Sequence, residues 1–236
     1  MGVELHFCWL VDPWKSSREQ YVRAWQAAGW QCVLWHSGQI QETPAPGVEL
    51  RNAAEIVRGS IIEKSYEYEL RHNSHACCAD LFRYQVLYAL GGAYADIDVL
   101  PGENTTPELP SGPLFGLAER RRFEIRFIRA PAQHPLLLAI LKRVVRNQSF
   151  FIRQGGYSGG FKNIVERTGP LAARSVVVEF AKDRWGDFVL PDATIDDTQE
   201  NRAEGHGLRV SEILSKAKHP VWSGGVRWGR SLRWRK

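Results

Sequence analysis

The first 35 residues carry the pattern of a β-α-β unit. Residues 3–11 (VELHFCWLV) are almost entirely apolar, and residues 31–35 (QCVLW) form a second apolar run. Between these runs, apolar residues repeat at helical spacing over residues 21–28, and Gly29 follows them. Buried strands joined through a helix run parallel to each other, so this opening predicts a parallel sheet with helices on its faces.

The rest of the chain continues with alternating helices and strands. The pattern predicts helices over residues 52–70, 75–90, 135–145 and 168–181, and strands over residues 93–100, 114–118, 123–128 and 188–191, with a polar stretch over 192–207. Hydrophobic residues make up 44% of the 236 residues, and neither a repeat nor a linker is evident. This length suits one α/β domain, so we expect a single domain over residues 1–236.

The most informative segment is residues 80–98, which read DLFRYQVLYALGGAYADID. Asp96 and Asp98 are two apart on the predicted strand, so both carboxylates leave it on one face while Ile97 faces the core. Neighbouring carboxylates repel each other unless a cation lies between them, and Mg²⁺ or Mn²⁺ prefers such hard oxygen ligands. An Asp-x-Asp triplet alone is most often a surface turn. Its position after a helix, the Gly91-Gly92 turn and an apolar strand favours a metal site.

The helix before this strand carries a second polar group. Asp80, Arg83 and Tyr84 share one helix face because they are three and four residues apart. One interpretation is a surface ion pair. The other is a polar cluster beside the strand end, in which Asp80 accepts sugar hydroxyls and Arg83 orients Asp80 or a diphosphate.

These motifs together resemble the DXD segment of glycosyltransferase family 32. The central match comprises Ala79-Asp80-Leu81-Phe82-Arg83-Tyr84, Leu87-Tyr88, Gly91-Gly92 and Tyr94-x-Asp96-x-Asp98. Further similar segments are His6-Phe7-Cys8-Trp9, Ala130-Pro131, His134-Pro135-Leu136, Thr168-Gly169-Pro170-Leu171-Ala172, and His219 with Trp222-Ser223.

The resemblance implies a GT-A fold, an α/β fold with a Rossmann-like, mostly parallel central sheet and flanking helices. Its nucleotide-sugar half would span residues 1–105 and its acceptor half residues 106–236. The implied reaction transfers a hexose from a UDP- or GDP-sugar, with retention and with Mn²⁺ or Mg²⁺. The resemblance offers no agreed protein nucleophile.

The same resemblance assigns roles to individual residues. Asp98 would bind the metal directly, and Asp96 would bridge ribose, sugar and metal. Asp80 and Arg83 would hold the donor sugar, which makes these four the candidate catalytic residues. The remaining donor or metal residues are Trp9 near the nucleobase, Tyr84, Gly91 and Gly92, with His219 or Ser223 completing the metal and diphosphate site. His206 is a rival to His219 as the metal ligand.

The net charge of +5 suggests an anionic partner. Basic residues cluster at Arg120, Arg121, Arg122, Arg126 and Arg129, and the tail over residues 227–236 mixes Arg with Trp. The acceptor we favour is a bacterial surface glycan or lipid-linked sugar, with the tail resting on an anionic membrane. The basic clusters also suit an enzyme that acts on a modified base in DNA. A protein acceptor and a non-catalytic carbohydrate-binding fold are the remaining hypotheses.

The cysteines and the amino terminus bear on location. Cys8, Cys32, Cys77 and Cys78 include no CxxC pair, so a zinc site is not expected and reduced thiols are. The start lacks the features of a signal peptide, and the sequence contains no run of transmembrane length. We therefore expect a cytoplasmic protein with peripheral contact at the inner membrane face.

Overall fold

A computed structural model describes residues 2–10, 14, 16–38, 40, 45–102, 105–109, 111–118, 122–157, 161–183, 193–195 and 202–205. The described strands are β1 (Glu4–Trp9), β2 (Gln31–His36), β3 (Glu49–Asn52), β4 (Gly92–Ala95), β5 (Leu100–Pro101), β6 (Leu114–Ala118), β7 (Arg122–Ala130), β8 (Ala193–Ile195) and β9 (Arg202–Gly205). The described helices are α1 (Glu19–Ala27), α2 (Ala54–Val57), α3 (Glu63–Arg71), α4 (His75–Leu90), α5 (Pro135–Arg153), α6 (Phe161–Arg167) and α7 (Pro170–Asp183), with a 3-10 turn at Ser16–Arg18 before α1.

The described strands form one mixed sheet in the order β3-β2-β1-β4-β7-β6-β8-β9-β5. Strands β3, β2, β1 and β4 run parallel to one another, whereas β7 is antiparallel to both β4 and β6. The parallel half follows from the β-α-β opening, since parallel strands need a crossover connection, usually a helix, to carry the chain back. This α/β architecture confirms the fold class that the sequence predicted.

The parallel strands are buried on both faces. Leu5 and Phe7 of β1 belong to the core that α1 covers with Val22 and Trp25. Alternate residues of the same strands, such as Tyr94 of β4, face a second core, to which α2, α4, α5 and α7 contribute. Burial on both faces explains why β1 and β2 read as continuous apolar runs rather than alternating ones.

Helix α4 lies inside this second core. Ten of its sixteen residues are buried, including the polar residues Asp80, Arg83 and Gln85. A helix that is surrounded on most sides has no wide solvent face, so its charged residues must find partners within the protein. None of the described helices has both the length and the apolar character to cross a membrane.

The structure differs from the sequence-based expectation before α4. The segment predicted as one helix over residues 52–70 contains the end of β3 and two helices, α2 and α3, with Gly59 at a φ of 73° between them. Strand β3 was missed because it lies at an edge and is polar. Its Arg51 is held by Glu4 at 2.6 Å and by Glu49 at 2.7 Å, a tertiary arrangement that periodicity does not report.

The strand predicted over residues 93–100 is also wrong in its extent. Strand β4 ends at Ala95, and residues 96–99 form a turn closed by the Val99 amide, which donates to the Asp96 carbonyl at 3.0 Å. The Asp96 amide makes the last bond to β7, donating to the Arg126 carbonyl at 2.8 Å. Aspartate favours such turns, and this preference outweighs the β-propensity of Ile97 and Val99.

The carboxyl-terminal region adds strands that the sequence analysis did not predict. Strands β8 and β9 lie within the stretch read as polar, where they pair with each other in antiparallel fashion. The strand predicted over residues 188–191 lies outside the described residues.

Replacing Gly92 with Ala is expected to destabilise the fold by about 3 kcal/mol or more. Gly92 has a φ of 92°, and a Cβ there would lie 2.5 Å from the Glu4 carbonyl oxygen of β1. Gly59→Ala is the matched control, because its φ is 73° but a Cβ would meet nothing within 4 Å. Backbone strain alone predicts about 1 kcal/mol for the control. Denaturant unfolding measures both, and equal losses would contradict the steric argument.

Candidate active site

A cavity of about 880 Å³ opens at the carboxyl ends of β1 and β4. In open α/β sheets, ligands bind at this end of parallel strands. Its lining residues come from the end of β1, α4, the turn after β4, β7, α6 and α7: Cys8, Trp9, Leu10, His75, Ala76, Ala79, Asp80, Arg83, Tyr94, Asp96, Ile97, Asp98, Phe123, Glu124, Ile125, Arg126, Ile164, Val165, Pro170, Leu171 and Arg174.

The turn after β4 brings the two aspartates of the Asp-x-Asp triplet to this cavity. The Asp96 side chain is 25% exposed and the Asp98 side chain 40% exposed. Below the turn, the Trp25 indole donates to the Val99 carbonyl at 2.7 Å. The turn is therefore anchored to α1 by its last residue and to β7 by its first, which fixes the direction of both carboxylates.

Arg83 joins two of the cavity carboxylates. Its Nη2 lies 3.0 Å from Asp80 and 3.2 Å from Asp96, and its Nη1 donates to the Ile125 carbonyl at 2.8 Å. Burial lowers the pKa of Arg83, but Asp96, Tyr94 and Asp80 outweigh burial and leave that pKa above its usual range. Arg83 is therefore a fixed cation whose donors point at protein oxygens, a geometry suited to orienting Asp80 and Asp96.

Asp80 is held at both oxygens. Its Oδ1 faces Arg83, and its Oδ2 accepts a hydrogen bond from the Thr168 hydroxyl at 3.0 Å. Burial raises the pKa of Asp80 to about 6, with a further contribution from the Asp96 charge, against the lowering effects of Arg83 and Thr168. Above pH 6, Asp80 is a desolvated carboxylate at the cavity wall, and it can accept hydrogen bonds from ligand hydroxyls.

Asp96 has a similar electrostatic setting. Burial, and then the neighbouring Asp98 charge, raise the pKa of Asp96, whereas Arg83 and the Tyr94 hydroxyl act against that rise. The Tyr94 hydroxyl donates to Asp96 Oδ1 at 3.1 Å. On the other side of the turn, Arg18 lies 3.9 Å from Asp98. Each aspartate thus already has a protein cation nearby, and both retain oxygen atoms that no protein donor uses in these contacts.

The pair of aspartates fits a hard divalent cation in its chemistry. Mg²⁺ commonly takes one or two carboxylates and completes its coordination with substrate phosphates and water. Within the described ranges, no group of three or more His, Cys, Asp or Glu side chains is arranged to hold a metal by itself. Asp96 and Asp98 supply the two carboxylates of such a site. The predicted ligand His219 and its rival His206 lie outside the described residues.

Trp9 forms the wall of the cavity at the end of β1. Its indole meets Trp14 edge-on at 5.2 Å between ring centroids. The Trp9 Nε1 is buried and has no hydrogen-bond partner within the described part of the chain. A buried donor without a partner is costly, so this nitrogen is suited to a ligand acceptor atom.

His6 of β1 is a fully buried core residue that does not line the cavity. The Trp35 indole donates to its Nδ1 at 3.3 Å, so its Nε2 carries the proton and donates to the Gly91 carbonyl at 3.0 Å. Burial lowers the pKa of His6 to about 4. It is therefore neutral at physiological pH, and both of its ring nitrogens are used by neighbouring residues.

Other predicted donor residues lie away from the cavity. Tyr84 is fully buried, and its hydroxyl donates to the Thr168 carbonyl at 3.2 Å. Gly91 and Gly92 stand at the opposite end of β4, where their backbone approaches Ala132 and Glu4 closely. The structure does not bring these three residues to the cavity, and Ser223 lies outside the described residues.

The basic cluster is only partly described. Arg126 lies in the cavity wall 3.5 Å from Glu124, and Arg129 donates to the Thr106 carbonyl at 3.3 Å. The backbone of Arg122 belongs to β7, while Arg120, Arg121 and the 227–236 tail lie outside the described residues. The described arginines are thus tied into local contacts rather than aligned as one free surface.

Tyr94 and Arg174 of the cavity wall, and Thr168 behind Asp80, were not assigned a role from the sequence. Thr168 lies in a recognised motif, but its contact with Asp80 joins residues 88 apart. Tyr94 could have been placed with Asp96, because residues two apart on a strand share a face. Arg174 follows Pro170 by four residues, which puts both on one face of α7. Burial lowers the pKa of Arg174 to about 10, so it is a cation in the cavity wall at neutral pH.

Comparisons with known proteins match the segment that carries Arg83 and the aspartates of this cavity. Residues 14–113 match the family model described as "Glycosyltransferase sugar-binding region containing DXD motif". This range includes Asp80, Arg83, Asp96 and Asp98. The sequence matches none of the curated proteins.

Solved structures share the fold at low sequence identity. They include the PaToxG glycosyltransferase (16% identity, TM-score 0.59, covering 78% of this chain and 70% of that one). The UDP-bound glycosyltransferase domain from the YGT toxin is 10% identical, with a TM-score of 0.62 over 91% of this chain and 82% of that one. The catalytic domain of alpha-toxin from Clostridium novyi is 11% identical, with a TM-score of 0.54 and coverages of 76% and 73%.

These findings confirm the resemblance noted in the sequence and the GT-A fold that it implied. The family match spans the polar cluster, and the structural likeness extends over most of the chain. The DXD sugar-binding region and the GT-A fold around it identify the chain as a glycosyltransferase.

Proposed function

We propose that this chain transfers a hexose from a nucleoside diphosphate sugar to an acceptor hydroxyl, with a divalent cation held by Asp96 and Asp98. The observation that carries the proposal is the convergence of Asp80, Asp96 and Asp98 on one cavity that also holds Trp9. A UDP-sugar is the first candidate donor, because the similar YGT toxin domain has been crystallised with UDP. A GDP-sugar is the second.

Each cavity residue then has a role that follows from its contacts. A divalent cation bound at Asp96 and Asp98 would supply neutralisation of the leaving diphosphate. Trp9 lines the cavity with an aromatic surface on which a nucleobase can stack. Asp80 accepts hydrogen bonds from sugar hydroxyls, and Arg83 keeps Asp80 and Asp96 in place. We propose retention of configuration, as the family resemblance implies, and assign no protein nucleophile.

The proposal extends to the acceptor. The favoured acceptor is a sugar hydroxyl of a bacterial surface glycan or lipid-linked sugar, with a modified DNA base as the alternative. Two of the similar domains belong to toxins, so protein hydroxyls belong in the same test. Transfer of labelled sugar to each acceptor class distinguishes them, and DNA transfer should fall steeply with salt.

A donor-hydrolysis panel tests the proposed reaction. We expect the protein to release nucleotide from one UDP- or GDP-hexose with Mn²⁺ or Mg²⁺, and EDTA to abolish that release. Asp98→Asn should lower apparent metal affinity by about tenfold or more because it removes one charged ligand. Glu67→Gln is the matched control, an exposed carboxylate on α3 outside the cavity, and it should behave as the wild type.

Measuring nucleotide binding distinguishes a transferase that lacks its acceptor from a protein that is not a transferase. Some transferases turn over slowly without their acceptor, so titration calorimetry with UDP, GDP and their hexose derivatives accompanies the panel. Absence of both nucleotide release and nucleotide binding would overturn the transferase proposal. Sugar binding that needs neither metal nor nucleotide would instead support the non-catalytic alternative.

A further inference from the structure

We propose that Thr168 is a positioning residue for the donor sugar, and that the buried ion pair of Glu69 and Arg167 holds it in place. The inference rests on the proposed function, in which Asp80 contacts the sugar. Besides Glu69 of α3, it assigns roles to Arg167 at the end of α6 and to Thr168 between α6 and α7, both outside the family match over residues 14–113.

The first step is the contact between Thr168 and Asp80. The Thr168 hydroxyl donates to Asp80 Oδ2 at 3.0 Å, while Arg83 lies 3.0 Å from Asp80 Oδ1. Thr168 is fully buried. One donor on each oxygen fixes the rotation of the carboxylate plane, so the remaining lone pairs of Asp80 are directed by Thr168 and Arg83 together.

The second step is the rigid placement of Thr168 between α6 and α7. Its amide donates to the Ile164 carbonyl at 3.0 Å, and its own carbonyl accepts from the Tyr84 hydroxyl at 3.2 Å. At the next residue, a Cβ on Gly169 would lie 2.8 Å from Val165 Cα. The close approach at Gly169 explains why a glycine follows Thr168, and it leaves the threonine little freedom to move.

The third step is the ion pair beside it. Arg167 Nη2 lies 3.2 Å from Glu69 Oε2 and donates to Cys77 Sγ at 2.9 Å, and its guanidinium covers the Phe151 ring at 3.9 Å. Glu69 is fully buried and accepts a second hydrogen bond from Gln148. A buried ion pair contributes little to stability beyond an apolar replacement, so fixing Arg167, and with it Thr168, is the role that its position supports.

These contacts form one continuous series of polar groups from α3 to the cavity. Glu69 holds Arg167, the next residue Thr168 holds Asp80, and Asp80 faces the donor site. Cys77 touches both Arg167 and Thr168, the latter at 3.6 Å from its sulfur. This series of contacts links the amino-terminal and carboxyl-terminal halves of the sequence at Asp80, the carboxylate assigned to the sugar.

The test compares binding of a nucleotide with binding of its sugar derivative. Thr168→Val removes the hydroxyl at nearly constant volume, and Thr168→Ser retains it. The ligand is the intact UDP-hexose that the wild-type protein is found to hydrolyse. We expect Thr168→Val to weaken the affinity for this donor, measured by calorimetry with Mn²⁺, by about tenfold. Affinity for UDP should change by less than about twofold, since UDP carries no sugar to contact Asp80. Thr168→Ser should restore sugar-nucleotide affinity to near the wild-type value.

Two further variants complete the test. In an Asp80→Ala background, adding Thr168→Val should produce no further loss of UDP-hexose affinity, because Thr168 acts through Asp80. The Glu69→Leu/Arg167→Met double variant removes the ion pair as a whole. It should fold and reproduce the selective loss of UDP-hexose affinity, with UDP affinity kept.

The outcomes separate this inference from the proposed function. A wild-type protein that binds no nucleotide sugar overturns both. If the wild type binds and hydrolyses a donor, equal losses for UDP and UDP-hexose in Thr168→Val would show a merely structural role. Unchanged UDP-hexose affinity in Thr168→Val would also overturn the inference while leaving the transferase proposal intact.

Discussion

Replacing Arg83 with Met is expected to lower the free energy of unfolding by about 3–5 kcal/mol and to reduce donor turnover by about 100-fold or more. Arg83 is buried among Asp80, Asp96 and the Ile125 carbonyl. Methionine preserves much of the side-chain volume but leaves two buried carboxylates without their shared cation. Thermal or denaturant unfolding and the donor-hydrolysis assay measure the two effects.

The pH dependence gives this prediction a distinct signature. Burial already raises the pKa values of Asp80 and Asp96, and Arg83 acts against that rise. Without Arg83, both pKa values should rise further. A carboxyl group whose pKa is raised in the folded state destabilises that state at pH values above its folded pKa, and the penalty disappears as pH falls below its unfolded pKa. The stability defect of Arg83→Met should therefore shrink as the pH falls from 7 to 4.

Arg143→Met is the matched control for Arg83→Met. Arg143 pairs with Glu179 and Ser175 near the surface, and the Glu179 side chain is 67% exposed. An exposed ion pair contributes at most about 1 kcal/mol, so the control should lose little stability and no turnover. A defect in Arg83→Met that is independent of pH, or no larger than the control, would contradict the proposed role of Arg83 as the shared cation.

Replacing Asp80 with Asn is expected to separate activity from stability. Burial raises the pKa of Asp80 to about 6. A rise of about two pKa units corresponds to about 3 kcal/mol of destabilisation at neutral pH, an upper limit on what a neutral side chain would recover. The Asn carbonyl oxygen can accept from Arg83 while its amide group donates to the Thr168 hydroxyl oxygen, and Arg83 keeps Asp96 as its partner. We expect unfolding free energy at pH 7 to be unchanged or higher, by up to about 3 kcal/mol.

Turnover should respond in the opposite direction. In the desolvated cavity wall, a carboxylate makes stronger hydrogen bonds to sugar hydroxyls than a neutral amide does. The kcat/KM for the donor should therefore fall about 100-fold in Asp80→Asn. The stability gain should vanish as pH falls from about 6 to about 4, because wild-type Asp80 then becomes neutral as well. Parallel melting curves at both pH values measure this difference. Full donor turnover in Asp80→Asn would exclude the carboxylate from the reaction, and a large stability loss would contradict the electrostatic argument.

Local patterns were sufficient to predict the elements that carry the candidate site. The β-α-β opening, the long helix now described as α4 and the strand that follows it are all visible in residue periodicity. The same segment placed Asp80 and Arg83 on one helix face, and the structure shows them 3.0 Å apart. Such features depend on residues within a few positions of each other, which is the range over which helix and strand periodicity operates.

Predictions failed where distant partners or competing preferences decided the structure. Strand β3 pairs with β2 at the edge of the sheet, and its Arg51 reaches Glu4 on β1. Neither contact can be read from the local sequence of β3. The Asp-x-Asp triplet lies on a turn, since β4 ends when its pairing with β7 stops at the Asp96 amide. The turn still directs both carboxylates to the cavity, so the chemical expectation holds while its geometric reason changes.

Periodicity and local motifs are enough to predict the type of fold, the helix that carries Asp80 and Arg83, and the paired aspartates after an apolar strand. Which of these groups touch depends on the packing of distant elements. This packing buried Arg83 between Asp80 and Asp96, brought Thr168 to Asp80 across 88 residues and moved Tyr84 away from the cavity. The reason is that spacing along a chain fixes the face on which a residue lies, whereas burial, hydrogen-bond partners and pKa depend on elements packed together from distant parts of the sequence.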